Sequence, residues 1–222
     1  MKKVSNHDID TVFKKSPRPH EAFLHWERFQ ESYKKDVKKV FGSKQNNVKL
    51  LPIFGVSHFL SAWLIKNPSE ADVFLASPYL SKPKEASVIK KEIKNLLQKS
   101  SSRLETLRTY KYREYLRLTL KDLNGTSQEE ILSELSALCY LLLQTINHLT
   151  YEESVAKWGK PTNEYGHECA YHALAMGKLG GMEINYSSDV DLIAFIENEF
   201  DYGGKYSTKE FFSRHFQNKI AD

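Results

Sequence analysis

The chain has 222 residues, which is enough to bury the core of one large domain or two smaller ones. Its 32 basic and 28 acidic residues give a net charge of only +4, which is no strong indication of nucleic-acid binding. Its 2 cysteines are too few for a disulfide framework, and no apolar run reaches the ~18 residues of a membrane span, so we expect a reduced, cytoplasmic protein.

Two local features have plain structural interpretations. Residues 1–50 hold twelve Lys and Arg against six Asp and Glu, and we interpret this excess as a solvated helix face rather than a phosphate-binding patch. His167, Cys169 and His172 lie close together in sequence, but their spacing matches no usual structural zinc site and too few further ligands follow. We therefore expect no zinc centre there.

Amphipathic helices are predicted in the first part of the chain. Apolar residues at three- and four-residue spacing predict a helix over residues 20–40, which begins after two prolines. A second helix is predicted to carry Pro52 in its first turn and one continuous apolar stripe from Ile53 to Leu64. Asn67 is predicted to cap a short helix that ends near Ala76.

Three longer helices are predicted next, over residues 84–99, 103–120 and 126–158. The last of these is expected to end near Trp158, because Gly159 and Pro161 follow. The helix over residues 103–120 is basic and aromatic, with Arg108, Tyr110, Lys111, Tyr112, Arg113, Tyr115 and Arg117. We favour packing and ion pairing for these side chains, and direct contact with a nucleotide or partner is the alternative.

The last part of the chain changes character. Two strands are predicted, at about residues 169–177 and 189–197, and Ser207 with Glu210 is predicted to cap a final helix. The fold class is therefore α+β and mainly helical. A helical region over residues 1–161 is followed by a second, strand-containing domain that starts within residues 162–222.

Two aspartates in the segment GKLGGMEINYSSDVDLIAFIE, residues 177–197, indicate the chemistry of the chain. Asp189 and Asp191 flank one apolar residue at the start of a strand that we expect to be buried, and alternate residues of a strand share a face. Two neighbouring carboxylates at the end of an apolar strand require a compensating cation. A pair of Mg²⁺ ions, which prefer oxygen ligands, is the natural candidate.

A glycine turn precedes the aspartates. Gly180 and Gly181 follow an apolar run, and we expect them to offer backbone N–H groups to phosphate oxygens. Lys178 adds a positive charge beside the turn, and Ser187 and Ser188 add hydroxyl groups before the first aspartate. A double glycine or a D-x-D pair alone is weak, but their order and spacing together predict a nucleotide site.

These residues resemble a known signature. The turn at Leu179-Gly180-Gly181, a seven-residue gap, and Asp189-Val190-Asp191-Leu192 are similar to the motif of the polymerase-β-like nucleotidyltransferase superfamily. The longer string GKLGGMEINYSSDVDLI resembles the glutamine synthetase adenylyltransferase/adenylyl-removing enzyme family. Shorter similarities occur in the order of that family from about residue 50 to the end.

The resemblance implies that residues 162–222 begin a polymerase-β-like nucleotidyltransferase domain, and their position after N-terminal helices is similar to the adenylyl-removing half of the family. The implied reaction is phosphorolytic removal of AMP from an adenylyl-tyrosine of glutamine synthetase, in nitrogen regulation. Mg²⁺, phosphate and ATP or ADP are the implied ligands, and the PII signalling protein is the implied regulator. The implied metal ligands and catalytic residues are Asp189 and Asp191, and the implied phosphate contacts are Gly180, Gly181, Lys178, Ser187 and Ser188.

The chain departs from this pattern in one respect. The superfamily uses a third carboxylate on a later strand, which we expect beyond Asp222, and Glu197, Glu199 and Asp201 are interpreted as solvated loop charges. We therefore expect the isolated chain to be inactive, or to contain only part of the catalytic site. Two alternatives remain: a non-catalytic helical module that binds glutamine synthetase or PII, and a stand-alone small nucleotidyltransferase.

Overall fold

The computed structural model describes residues 6–33, 44–80, 82–163, 165–196 and 206–217. Within these residues the chain is mainly helical, with one two-stranded antiparallel sheet, which confirms the α+β class. The helices and strands, in chain order, are α1 Asn6–Lys14, α2 Pro19–Ser32, α3 Lys44–Val56, α4 His58–Lys66, α5 Glu70–Leu75, α6 Ala86–Leu97, α7 Arg103–Leu123, α8 Gln128–Trp158, β1 Tyr171–Ala175, α9 Gly177–Gly180, β2 Leu192–Ile196 and α10 Thr208–Gln217. None of the described helices is long and apolar enough to cross a membrane.

The chain divides into two compact units. The first unit is drawn from Met1–Glu85 and Leu96–Glu134, and the second from Ala86–Asn95 and Leu135–Asp222. Each unit is a group of residues that pack mainly against one another. The predicted boundary at residue 161 marks instead where a catalytic domain starts, and it stays a prediction.

Aromatic and aliphatic side chains form the core of the first unit. Phe13, Phe29, Phe54, Leu64 and Leu116 are completely or almost completely buried in it. Phe13 lies on α1, a helix of nine residues that the sequence analysis did not predict. A helix of this length has too few apolar residues to show a clear helical periodicity in the sequence.

The predicted single stripe from Ile53 to Leu64 is wrong, because the helix is interrupted at Ser57. Helix α3 ends at Val56, and Ser57 adopts an extended conformation in which its hydroxyl accepts a hydrogen bond from the Leu60 N–H at 3.2 Å. This is the N-cap of a new helix, α4. The predicted place of Pro52 in a first turn is also wrong, because Pro52 lies inside α3. Its missing N–H removes one hydrogen bond from the interior of this helix.

Two other predicted boundaries also differ from the structure. Helix α2 ends at Ser32, and Tyr33 is extended, so the predicted helix over residues 20–40 is too long and its last part lies outside the described residues. Asn67 ends α4, and its side-chain amide donates to the Trp63 carbonyl at 2.9 Å. Ser69, and not Asn67, takes the N-cap position of α5.

Buried charges connect α7 to its neighbours in the first unit. Arg117, which is 2% exposed, forms ion pairs of 2.7 Å with both Glu114 and Glu134. Lys84 pairs with Glu114 at 2.5 Å, and Lys121 pairs with Glu134. We call these five side chains the buried charged cluster. For Arg117, this geometry confirms the packing and ion-pairing role that was predicted for the basic helix.

The pKa values of Arg117 and Glu134 show that attraction between opposite charges outweighs the effect of burial, which disfavours the charged forms. Burial alone acts to lower the pKa of Arg117, but the negative charges of Glu114 and Glu134 raise it above its ordinary value. Burial acts to raise the pKa of Glu134, but hydrogen bonds and attraction from Lys121 and Arg117 lower it. Arg117 and Glu134 therefore stay charged at neutral pH, as buried charges do when they are paired.

The second unit contains a separate aromatic cluster. Helix α8 ends at Trp158 as predicted, and Gly159 follows with φ +84°. The Trp158 ring contacts Phe211 of α10, with ring centroids 5.9 Å apart, and Phe212 is also buried there. The predicted cap of α10 is confirmed, because the Ser207 hydroxyl accepts a hydrogen bond from the Glu210 N–H at 3.2 Å.

A buried polar group connects α8, β1 and α10 within the second unit. His215 is completely buried, and its Nε2 atom lies 3.0 Å from Asn147 Oδ1 and 3.1 Å from the Tyr171 hydroxyl. Burial lowers the pKa of His215, against the effect of a backbone hydrogen bond to Thr150. Burial also raises the pKa of Tyr171 to about 12. We call Asn147, Tyr171 and His215 the histidine cluster.

Candidate functional site

The candidate site lies at one end of the strand pair. Strands β1 and β2 pair from Tyr171 with Ile196 to Ala175 with Leu192, so both strands are shorter than predicted. The expectation of a buried strand is wrong for the described residues, because the middle of each strand is exposed and only Tyr171 and Ile196 pack on the Trp158 cluster. The predicted site residues lie just outside the strands, in the two segments that follow β1 and precede β2.

Gly180 occupies a position that only glycine fits. Helix α9 is a single turn directly after β1, and a Cβ atom on Gly180 would lie 2.5 Å from the Ala175 carbonyl oxygen. The turn folds back so closely on the end of β1 that any side chain would displace backbone. The N–H groups of Gly180 and Gly181 donate to the carbonyls of Met176 and Gly177, at 3.0 and 3.1 Å. They serve the turn itself, and their predicted role in phosphate binding stays a prediction.

Asp191 is in contact with the start of the same turn. The Met176 N–H donates to the Asp191 carbonyl at 2.9 Å, which extends the strand ladder by one bond. Gly177 has φ +54°, and a Cβ atom built on it would lie 3.0 Å from Asp191 Oδ2. The Asp191 carboxylate therefore lies beside Gly177, the first residue of the turn, and its place beside Gly180 and Gly181 stays a prediction.

Asp189 lies two residues before Asp191, and both side chains are exposed. The predicted strand over residues 189–197 starts only at Leu192, so neither aspartate belongs to β2. The expectation that they share a strand face was based on strand geometry, and their relative orientation stays a prediction. Lys178, on the turn, is also exposed.

The loop between the turn and the aspartates is held by hydrogen bonds between residues that are close in sequence. The Ser188 hydroxyl accepts from the Asn185 N–H at 3.0 Å, and the Ser187 N–H donates to Asn185 Oδ1 at 3.1 Å. Ile184 is buried, and its N–H donates to the hydroxyl of buried Ser136 on α8 at 3.1 Å. The two predicted serines thus shape the loop, and Ser136 ties it to the rest of the second unit.

The donor set at this site suits a hard cation. Mg²⁺ is usually held in proteins by one or two carboxylates together with waters and substrate phosphates, and Asp189 and Asp191 offer exposed carboxylates of this kind. Across the described parts of the chain, no group of three or more His, Cys, Asp or Glu side chains is gathered as for a metal ion. The acidic residues weighed for a third ligand, Glu197, Glu199 and Asp201, lie outside the described residues.

Sequence reasoning missed two residues that shape the site. Gly177 was not distinguished from the double glycine that follows it, although its positive φ and its contact with Asp191 are specific to it. Ser136 was hidden in the apolar stripe of α8. A small hydroxyl residue on an otherwise apolar stripe is the signal that indicates a buried hydrogen-bond acceptor.

Comparison with known families identifies the class of protein. A family model described as "Glutamate-ammonia ligase adenylyltransferase" matches residues 47–222. The chain belongs to the glutamate-ammonia ligase adenylyltransferase family, whose members are enzymes. This is the family that the GKLGG and D-x-D motifs indicated.

Curated relatives agree with this assignment. A protein of Shewanella loihica named "Bifunctional glutamine synthetase adenylyltransferase/adenylyl-removing enzyme" is 32% identical over 207 residues, which cover 88% of this chain and 21% of the relative. Proteins of the same name from Shewanella frigidimarina and Mannheimia succiniciproducens are 34% and 30% identical over 75% and 74% of this chain. The chain spans about a fifth of the length of these relatives.

Proposed function

We propose that this chain contributes the glycine turn and two carboxylates of a nucleotidyltransferase site that removes AMP from the adenylyl-tyrosine of glutamine synthetase. The observation that carries the proposal is the contact between Asp191 and the turn after β1, in a chain of this family. A polymerase-β-like fold for the second domain is part of the proposal. So are glutamine synthetase as substrate, PII as regulator, and phosphate and ADP or ATP as ligands.

The proposed reaction is a phosphorolysis. An oxygen of inorganic phosphate attacks the phosphorus of the tyrosine-bound AMP and forms a new P–O bond. The bond between that phosphorus and the tyrosyl oxygen breaks, the tyrosine takes up a proton, and ADP is the product. Transfer in the opposite sense, from ATP to the tyrosine with release of pyrophosphate, would need the same kind of site. We favour removal because the motif follows N-terminal helices.

The residues of the site have distinct proposed roles. Asp189 and Asp191 would hold Mg²⁺, which when bound neutralises negative charge on phosphate oxygens. Lys178 is exposed on the turn and attracts the phosphate groups of nucleotide and substrate. Gly180 allows the turn to fold back onto the end of β1, where a Cβ atom would lie 2.5 Å from the Ala175 carbonyl oxygen.

A chimeric enzyme tests this proposal. The segment of the Shewanella loihica relative that matches this chain is replaced by the chain, and the product is incubated with adenylylated glutamine synthetase, Mg²⁺ and phosphate. We expect formation of ADP and loss of AMP from the tyrosine. Asp191→Asn in the chimera should abolish this formation, since it removes one negative charge from the proposed metal ligands.

The alternatives give different results in the same experiment. If Asp191→Asn in the chimera abolishes transfer of AMP from ATP and leaves ADP formation unchanged, the site belongs to the adenylylating direction. If the chimera binds glutamine synthetase and Asp191→Asn leaves its turnover unchanged, the chain is a binding module. ADP formation by the isolated chain at the rate of the chimera would favour a stand-alone nucleotidyltransferase.

A further inference from the structure

Gly177 differs from the other glycines of the turn in what lies beside it. Its φ of +54° is in the left-handed region, and the position of a Cβ atom is 3.0 Å from Asp191 Oδ2 and 4.0 Å from Asp191 Cγ. A Cβ atom and a carboxylate oxygen at 3.0 Å are closer than ordinary van der Waals contact, so a side chain at this position would push the carboxylate away by a few tenths of an ångström. The free space over Gly177 is thus filled by the carboxylate of the proposed metal ligand.

Both the main chain and the side chain of Asp191 are therefore placed by the junction between β1 and the turn. The Met176 N–H holds the Asp191 carbonyl at 2.9 Å, and the next residue, Gly177, leaves room for the carboxylate. The hydrogen bond from Met176 positions the main chain of Asp191. The absence of a side chain at Gly177 leaves room for the Asp191 carboxylate oxygens. Neither contact involves Gly180 or Gly181.

We propose that Gly177 is a positioning residue, whose lack of a side chain sets the location of the Asp191 carboxylate and with it the cation affinity of the site. The proposal depends on the proposed function, because the value of this placement lies in metal binding. It separates two reasons for a glycine at this position. One is the positive φ, which asparagine also tolerates, and the other is the space, which no other residue leaves.

Asparagine substitutions distinguish these two reasons. Gly177→Asn keeps a residue that adopts positive φ but adds a Cβ atom against Asp191. Gly166 provides the matched control, since it has φ +80° in the same unit and no atom within 4 Å of its Cβ position. Gly166→Asn therefore carries a similar backbone change without a carboxylate neighbour. Asp191→Asn shows the effect of losing the ligand charge itself.

The measurements use the whole 222-residue chain with Mn²⁺ alone as the probe. Paramagnetic relaxation of backbone amide signals near Asp191 reports cation binding, and the ¹³C chemical shift of the Asp191 carboxyl group reports its placement without any metal. We expect Gly177→Asn to shift that carboxyl signal and to weaken Mn²⁺ binding by ~10-fold or more, the range seen when groups that orient metal ligands are removed. Gly166→Asn should change neither, and the amide spectrum elsewhere should remain that of the folded chain.

Each other outcome has a definite meaning. An unchanged Asp191 carboxyl signal in Gly177→Asn overturns the inference, whatever the metal does. Loss of Mn²⁺ binding in Asp191→Asn but wild-type binding in Gly177→Asn overturns the inference and leaves the proposed function standing. Equal losses in Gly177→Asn and Gly166→Asn would mean that backbone conformation, and not the space over Gly177, is the cause. Absence of Mn²⁺ binding by the wild-type chain overturns this inference, and ADP formation by the chimera then tests the proposed function separately.

Discussion

Charged side chains occur in two contrasting settings in this chain. In the first unit, the buried charged cluster joins Lys84, Glu114, Arg117, Lys121 and Glu134 through mutual ion pairs. In the second unit, Asp189, Asp191 and Lys178 are exposed, and none of them forms an ion pair with a described residue. The first set has its partners within the protein, and the second set has no ion-pair partner among the residues that the structure describes.

The buried charges contribute to the stability of the fold, whereas the exposed charges are available for the chemistry of the proposed site. Buried charges that neutralise each other fix how helices pack, and removing one leaves its partner buried without compensation. Exposed carboxylates contribute little to folding, and they remain available to an added cation. We therefore expect substitutions in the first set to change unfolding, and substitutions in the second set to change turnover.

The largest expected effect is on catalysis. Asp189→Asn in the chimeric enzyme should lower the rate of ADP formation ~1000-fold or more, because a metal-ligand charge is lost. The free energy of unfolding should stay unchanged, since the side chain is exposed. Asp122→Asn, which alters an exposed aspartate of α7 in the first unit, is the matched control and should keep the wild-type rate. Wild-type turnover in Asp189→Asn would show that this carboxylate is no metal ligand.

The next effect is on the stability of the first unit. Arg117→Met should lower the free energy of unfolding by about 3 kcal/mol, because Glu114 and Glu134 lose a buried cation. Urea unfolding followed by circular dichroism measures the change. Arg108→Met removes an exposed pair with Glu105 and should cost less than about 0.5 kcal/mol. Equal costs for both variants would contradict the contrast between buried and exposed charges.

A smaller effect separates the two adjacent glycines of the turn. Gly180→Ala should destabilise the second unit by about 2 kcal/mol, because the new methyl group overlaps the Ala175 carbonyl. Gly181→Ala should be close to neutral, since its φ is −81° and its nearest contact would be 3.6 Å. Urea unfolding of both variants tests this. If both are neutral, the close packing of the turn on β1 is not required.

The smallest effect concerns pH. The pKa of His215 lies below its ordinary value of 6.5, so the unfolded chain takes up this proton first, and stability of the second unit declines as pH falls through the lowered pKa. The pKa of Glu134 lies below 4.5, so its contribution to the first unit persists to more acidic pH. His215→Gln should remove the earlier loss, and His148→Gln, at an exposed position, should not. An identical pH profile for wild type and His215→Gln would exclude His215 as the source.

Local patterns in the sequence predicted the longest elements well. The apolar stripe of α8 and the glycine after Trp158 gave that helix and its end, and the Ser207 cap gave α10. The motif also indicated that the glycine turn and the aspartates belong to one site, but not that Gly177 is the residue in contact with Asp191. These features depend on residues that are close in sequence, and so a pattern is sufficient.

Other features depend on residues far apart, and no local pattern contains them. The break at Ser57 was hidden because the apolar spacing continues through it, and only the hydrogen bond to Leu60 reveals the cap. Glu134, one of the two partners of Arg117, comes from another helix, so the sequence showed a basic helix but not this acidic neighbour. The Asp191 carboxylate occupies the space over Gly177 because strand pairing brings Asp191 back beside the start of the turn.

The aromatic clusters give each unit its own optical signal. Trp26 and Trp63 lie in the first unit, and Trp158 packs against Phe211 in the second. Since the sequence has 3 tryptophans, Trp158→Phe leaves fluorescence from the first unit alone, and Trp26→Phe with Trp63→Phe leaves it from the second alone. A denaturant titration of these two proteins would then give two separate midpoints if the units unfold independently, and one shared midpoint if they unfold together.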